Sequence, residues 1–179
     1  MTYYERDLPH WHPEGAALFL TWRLHGSLPK EYFEARWDPD PAKEFVRQDR
    51  VLDIASTGPT WLKDERVAAC VAAALHHADP VLKLYDLRAW VIMSNHVHLF
   101  VDPHVPLASI NRSVRAYTAR EANRILQRTG AFWQHESYDH WSRDLRQSEK
   151  IIAYIEENPV SAGLVQRAEE YRWSSAFGL

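Results

Sequence analysis

The chain has 179 residues, 46% of them hydrophobic and 12% aromatic, with a formal net charge of −3. That length and apolar content suit one folded domain with a real core and exclude an intrinsically disordered chain. The single cysteine, Cys70, excludes an intrachain disulfide framework and a cysteine-rich zinc site, and the acidic balance confines any nucleic-acid surface to a local patch. No apolar run approaches ~20 residues, so no membrane span is expected. Residues 1–7 lack a basic region followed by an apolar core, and a cytoplasmic location is the expectation.

Residues 1–16 are polar, carry Pro9 and Pro13, and read as an extended N-terminal segment. Ala17–Leu24 reads as a strand ended by Gly26 and Pro29. A Pro- and Asp-bearing loop over 30–41, with room for a short helical turn, leads to a helix over Ala42–Ile54. Its apolar candidates are Phe45, Val46, Val51, Leu52 and Ile54, and Thr57-Gly58-Pro59 stops it. Lys63–His77 is a second helix, with acids in its first turn and His76 and His77 in its last, as the helix dipole favours. Val81–Met93 is strand-like and bends near Asp86; His96–Asp102 is its antiparallel partner across Met93-Ser94-Asn95. Leu107–Leu126 reads as one long helix ended by Gly130. Residues 132–141 form an irregular aromatic stretch, after which Ser142 or Asp144 opens a helix that Pro159 stops near Asn158. The order gives an α+β sandwich with a mainly antiparallel sheet and one further short strand hidden near the ends. A single domain over 1–179 is expected, with residues 160–179 as a tail packed on the core.

Two motifs carry chemistry. In Ser94-Asn95-His96-Val97-His98-Leu99 the histidines are two apart on a strand, so both imidazoles leave the same face and can hold a divalent metal. In Tyr154-Ile155-Glu156-Glu157-Asn158-Pro159 the tyrosine and asparagine are four apart on a helix and share a face. An asparagine carbonyl ligates hard cations, and a tyrosine hydroxyl is a covalent nucleophile. Each motif alone also has an ordinary explanation: two histidines on a wet sheet face, or a core tyrosine with a capping asparagine. Tyr117, with Glu121 four residues on, is a rival nucleophile; Tyr138 is weaker, since Ser142 occupies its i+4 position. The helix over 107–130 carries Arg112, Arg115, Arg120, Arg124 and Arg128 against Glu121 alone, a basic run able to track phosphates or to be a solvated face. Arg143, Arg146 and Lys150 extend it, and Trp133 and His135 are candidates for stacking on unpaired bases. No Gly-rich phosphate loop appears, which argues against nucleotide hydrolysis.

Taken in order, Met93-Ser94-Asn95-His96-Val97-His98-Leu99, Arg115 to Arg124, Phe132-Trp133-Gln134, Tyr138-Asp139-His140, Tyr154 to Val165 and Trp173-Ser174-Ser175-Ala176 resemble the REP-associated tyrosine transposases. These are HUH single-strand endonucleases related to the single-tyrosine insertion-sequence transposases. The resemblance spans about residues 10–177 and implies a ferredoxin-like sandwich with the histidine pair on a central strand. It implies that His96, His98 and Asn158 hold a divalent ion, Mg²⁺ or Mn²⁺, and that Tyr154 is the nucleophile. It further implies single-stranded DNA hairpins of the repetitive palindromic type as partner, with Arg112, Arg115, Arg120, Arg124, Trp133 and Arg143 as DNA contacts, and a monomeric protein. The expected reaction is cleavage and strand transfer through a 5′-phosphotyrosine. Two other readings compete: a hairpin-binding protein with weak or lost cleavage, and an unrelated metal hydrolase of small phosphoesters.

Overall fold

The computed structural model describes residues 2–5, 9–13, 15–34, 40–55, 57–135 and 137–178. A hairpin of β1 (Thr2–Glu5) and β2 (Pro9–His12) comes first, within the segment read from sequence only as extended. The side chains of His10 and His12 lie outside the described ones. Then follow β3 (Leu18–Arg23), the short α1 (Lys30–Glu34), α2 (Pro41–Ile54), a 3₁₀ turn at Trp61–Lys63, α3 (Glu65–Ala78), β4 (Tyr85–Ile92) and β5 (His96–Pro103). The second half holds α4 (Leu107–Ile110), a π-helical turn at Asn111–Arg115, α5 (Ala116–Ile125), β6 (Tyr138–Trp141) and α6 (Leu145–Ser161). The main sheet is four-stranded and antiparallel, in the order β4-β5-β3-β6. With α3 crossing between β3 and β4, and α4–α5 between β5 and β6, this is the expected ferredoxin-like α+β sandwich.

Strand alternation divides the core. Leu18, Leu20 and Trp22 of β3 and Val97, Leu99 and Val101 of β5 face one side, where Val67, Val71 and Leu75 of α3 and Val114 and Ala122 of the α4–α5 stretch cover them. Phe19, Val91 and Phe100 face the other side, beneath Ile155 and the flanking Ile151, Ile152 and Tyr154 of α6, with Phe45 of α2 beside them. β5 is buried on both faces because it is central. The histidines share the α6 side.

Several boundaries differ from the sequence reading, each for a local reason. Asp64 is the N-cap of α3 rather than part of its first turn: its carboxylate accepts from the Arg66 amide at 2.9 Å. β4 starts at Tyr85, because residues 81–84 fold back on the end of α3, with the Val81 amide donating to His77 O. The expected bend near Asp86 is an irregularity in pairing between Leu87 and Ala89. The long helix is interrupted by its π turn. The hidden strand is β6, inside the aromatic stretch. Asp144, not Ser142, caps α6, its carboxylate accepting from the Gln147 amide at 2.7 Å. Pro159 lies inside α6 and does not stop it; the helix runs on to Ser161 despite the missing amide. The tail reaches the outer edge of the sheet, where the Ile92 amide donates to Trp173 O at 2.8 Å and the Ser175 amide to Trp90 O at 2.9 Å. No helix among the described residues is long and apolar enough to cross a membrane.

Candidate active site

The site sits between the sheet and two helices. β5 supplies His96 and His98, both fully buried, with ring centroids 4.6 Å apart. α6 supplies Tyr154 and Asn158, one turn apart on its inner face. α2 supplies Asp49 and Asp53, also one turn apart, which the sequence reading missed. Tyr154 is packed edge-on against Phe19, with Phe45 and the His98 ring beside it.

Hydrogen bonds outside the cluster orient the ligating atoms. The Asn95 amide nitrogen donates to Leu52 O at 2.9 Å, which turns its carbonyl oxygen toward His96 Nδ1 at 2.7 Å. A carbonyl only accepts, so the His96 proton belongs on Nδ1 and the Nε2 lone pair points inward. Thr21 Oγ1 lies 2.8 Å from His98 Nδ1 and can serve the second ring in the same way. Asp49 joins the two halves. Its Oδ2 accepts from the Tyr154 hydroxyl and, at 3.3 Å, from Asn158 Nδ2. Its Oδ1 lies 3.0 Å from His98 Nε2 and 3.6 Å from His96 Nε2. Asp53 Oδ1 is 3.8 Å from His96 Nε2.

Five buried atoms here have no hydrogen-bond partner among the described residues: Asp49 Oδ1, Asp53 Oδ1, His96 Nε2, His98 Nε2 and Asn158 Oδ1. Leaving so many buried polar atoms unpaired is costly, and the pattern calls for a ligand that satisfies lone pairs. Ligand atoms of Asp49, His96 and His98 lie within 4.8 Å of one another, close enough to share one ion. Two imidazoles, an amide carbonyl and carboxylates form a donor set that fits a divalent cation of intermediate hardness. The residues present therefore fit a metal.

The charges agree. Burial and the neighbouring His98 push the His96 imidazole down to about 3, so it is neutral at physiological pH. Burial acts to raise the Asp49 carboxyl, but His98, His96 and the Tyr154 hydrogen bond outweigh it and hold the group ionised, below its ordinary value. Burial and the Asp49 charge push Asp53 up to about 7. Burial and Asp49 likewise raise the Tyr154 phenol above its ordinary value. No lysine or arginine forms an ion pair with either carboxylate among the described residues.

The other candidates fall elsewhere. Tyr117 is 46% exposed on α5, in the helical layer across the sheet from the histidines, with Arg120 over its ring. Arg112, Arg120 and Arg124 lie in that same far layer; Arg120 and Arg124 both reach Glu121. Arg115 donates to the main-chain carbonyls of Gln134 and His135, fixing the loop rather than standing free for phosphates. Trp133 lies in the core on the helix side of the sheet. It is 7% exposed, packs against Trp22 and Phe132, and donates Nε1 to Thr118 at 3.0 Å, as a core residue does. Arg143 is exposed beside the start of α6, with its guanidinium over Trp141.

Comparison with known proteins gives the cluster a context. No curated protein matches the chain. In the solved structure of a REP-associated tyrosine transposase bound to a REP hairpin, the fold recurs with a TM-score of 0.60 at 16% identity, over 98% of this chain and 82% of that one. The family described as "Transposase IS200 like" matches residues 71–158, a stretch that runs from α3 to the asparagine of the site and includes both histidines and Tyr154. Over that stretch, just under half of its length, the chain is similar to the IS200-like transposases.

Proposed function

We propose that this protein is a metal-dependent single-strand DNA endonuclease and strand transferase acting beside palindromic repeats folded as hairpins. The observation that carries the reading is the convergence of five buried, unpartnered ligand atoms next to the Tyr154 hydroxyl. The family match and the hairpin in the related structure support the substrate class.

In this reading His96 Nε2, His98 Nε2 and Asn158 Oδ1 hold the ion, Asp49 Oδ1 is a further ligand, and Asp53 is within reach. A divalent ion held there supplies Lewis-acid polarisation and orientation of the scissile phosphate. Tyr154 Oη attacks phosphorus, the bond from phosphorus to the 3′ oxygen breaks, and a 5′-phosphotyrosine and a free 3′-hydroxyl result. The phenolic proton passes to Asp49 Oδ2, which already accepts the hydroxyl hydrogen bond, and is returned to the departing 3′ oxygen. The covalent link conserves the phosphodiester, so attack by a second 3′-hydroxyl rejoins strands without a nucleotide cofactor. The donor set suits Mn²⁺ at least as well as Mg²⁺. Arg143 contacts DNA nearest the chemistry, and Arg112, Arg120 and Arg124 contact a part of the hairpin that passes round the sheet edge. The protein acts as a monomer in the cytoplasm, at the chromosome.

The test is a denaturing gel of the protein with a labelled single-stranded repeat hairpin in Mn²⁺, Mg²⁺ or EDTA, beside Tyr154→Phe and Tyr117→Phe. A metal-dependent covalent adduct lost only in Tyr154→Phe is expected. Loss only in Tyr117→Phe overturns the nucleophile and keeps the activity. Tight hairpin binding with no adduct under any ion means a binding protein; neither binding nor adduct removes the DNA reading.

A further inference from the structure

Arg23 is the last residue of β3 and the direct register partner of His96. By strand alternation it leaves the sheet on the same face as Thr21, whose hydroxyl meets His98, and opposite to Leu18, Leu20 and Trp22. It is half-buried, yet it makes no side-chain hydrogen bond and no ion pair among the described residues. Other arginines of the fold have partners: Arg47 with Glu44, Arg66 with Asp64, Arg88 with Asp102, Arg115 with loop carbonyls, Arg128 with Asn123. Burial pulls the Arg23 guanidinium down to about 10, and the one ionisable group acting on it among the described residues is the Tyr32 phenol. That phenol donates to Glu44 and, pushed up to about 12 by burial and Glu44, is neutral at physiological pH.

No guanidinium nitrogen of Arg23 is among the buried atoms left unpartnered, so its head group stays open to solvent and to a ligand. It lies on the face that carries the candidate metal ligands, at the end of β3 that pairs with His96. Its planar fork of donors matches the geometry of a phosphate diester. Neither Asp49 nor Asp53 forms an ion pair with it among the described residues, so its head group is offset from the ligand atoms. An offset cation meets the strand beside the reacting centre rather than at it, and it does not compete with a divalent ion for the same carboxylates.

We infer that Arg23 binds the backbone phosphate next to the scissile one, holding the single-stranded foot of the hairpin in line with Tyr154. The inference rests on the DNA-cleaving reading of the site. Arg23 contacts substrate without touching the reacting atoms.

The experiment uses the full chain as wild type, Arg23→Gln and Arg23→Lys. Fluorescence anisotropy in EDTA measures binding to a hairpin with a single-stranded foot and to the same hairpin cut blunt, across a salt series. Mn²⁺ binding by electron paramagnetic resonance and the melting temperature are read on the same samples. Arg23→Gln is expected to weaken footed-hairpin binding about tenfold and to reduce the slope of log K against log salt by about 0.7, the contribution of one single-strand phosphate contact. Blunt-hairpin affinity, Mn²⁺ binding and melting stay at the wild-type values, and Arg23→Lys restores the slope but only part of the affinity. Unchanged footed-hairpin affinity and slope in Arg23→Gln overturn the inference, as does equal loss on both hairpins or a loss in Mn²⁺ binding. Wild-type protein that binds neither hairpin and forms no tyrosyl adduct overturns the parent reading as well; an adduct in wild type with an unaffected Arg23→Gln overturns Arg23 alone.

Discussion

Asp49→Asn separates the two roles open to a buried carboxylate beside two histidines: structural ion-pair partner or metal ligand. The substitution is isosteric. Its amide oxygen, placed where Oδ2 now sits, still accepts from Tyr154 and Asn158. Its amide nitrogen, placed where Oδ1 now sits 3.0 Å from His98 Nε2, becomes a donor to that lone pair. Without metal the change removes a buried charge and converts a contact between two acceptors into a hydrogen bond worth about 1 kcal/mol, with relief of desolvation adding a similar amount. For a domain of this size about 1–2 kcal/mol is roughly 2–8 °C in melting temperature. The metal-free variant should therefore melt higher than wild type at pH 8. With Mn²⁺ at a hundredfold excess over its dissociation constant, wild type gains about 2.7 kcal/mol. A hundredfold loss of affinity in the variant cuts that gain to about 0.4 kcal/mol, or roughly 1 °C. Differential scanning fluorimetry with and without Mn²⁺ reads both quantities. A lower metal-free melting temperature with the Mn²⁺ shift intact refutes the argument and makes Asp49 a structural partner of protonated histidine.

Other expectations follow from the same geometry. Asp53 has a folded pKa raised to about 7, so the metal-free folded state binds more protons than the unfolded chain between roughly pH 4 and 7, and its stability falls as pH rises through that window. Metal uptake near pH 7 should then release about half a proton, seen by calorimetry in two buffers of different ionisation enthalpy; the same release from Asp53→Asn would count against this. Asn95→Ala removes the acceptor that orients His96 and should weaken Mn²⁺ binding about 10–100-fold in a titration, with wild-type affinity as the adverse result. Trp133→Ala opens the core on the helix side and leaves the Thr118 hydroxyl without its indole donor, at a cost of about 3–5 kcal/mol in urea unfolding; a change below 1 kcal/mol would mean the ring is not core. Gly58→Ala should lower stability by about 3 kcal/mol, since φ is +80° there and an added Cβ strikes the Gly26 carbonyl oxygen; an unchanged denaturation midpoint contradicts it.

The part of the site carried by regular spacing is legible in the chain. Two histidines two apart on a central strand, and a tyrosine and asparagine four apart on a helix, must each share a face, and the topology brings those faces together. Asp49 and Asp53 have the same i,i+4 spacing, but α2 hides them. Its apolar residues suggest an ordinary amphipathic helix, whereas Val46 and Ile54 are 59% and 65% exposed and the buried side carries Glu44, Asp49 and Leu52. The available signal was two acids one turn apart beside an apolar leucine. Arginine spacing on α5 is equally regular, yet it fixes only a helix face. Which layer of the sandwich that helix joins depends on the crossover, so those arginines end up across the sheet from the chemistry. Trp133 shows the same limit in reverse: aromatic content signals burial and stacking alike, and only the packing of Trp22 and Phe132 around it decides.

α2 meets the rest of the molecule through apolar contacts of Phe45 and of Leu52 with Leu28 and Tyr32, and through polar groups. Asp49 reaches Tyr154 and Asn158, Leu52 O takes the Asn95 amide, and Phe45 stacks on Tyr138. Asp49 Oδ1 and Asp53 Oδ1 lie 3.0 and 3.8 Å from histidine Nε2 atoms, where a cation would be shared between them. With an ion in the proposed site, the helix would act as a clasp, its closure and the capture of the ion being coupled. Removal of such an ion is then expected to leave the sheet and the α6 core in place and to loosen this segment first. Occupancy of the site can accordingly be followed from outside it, by protease or hydrogen exchange along residues 43–54.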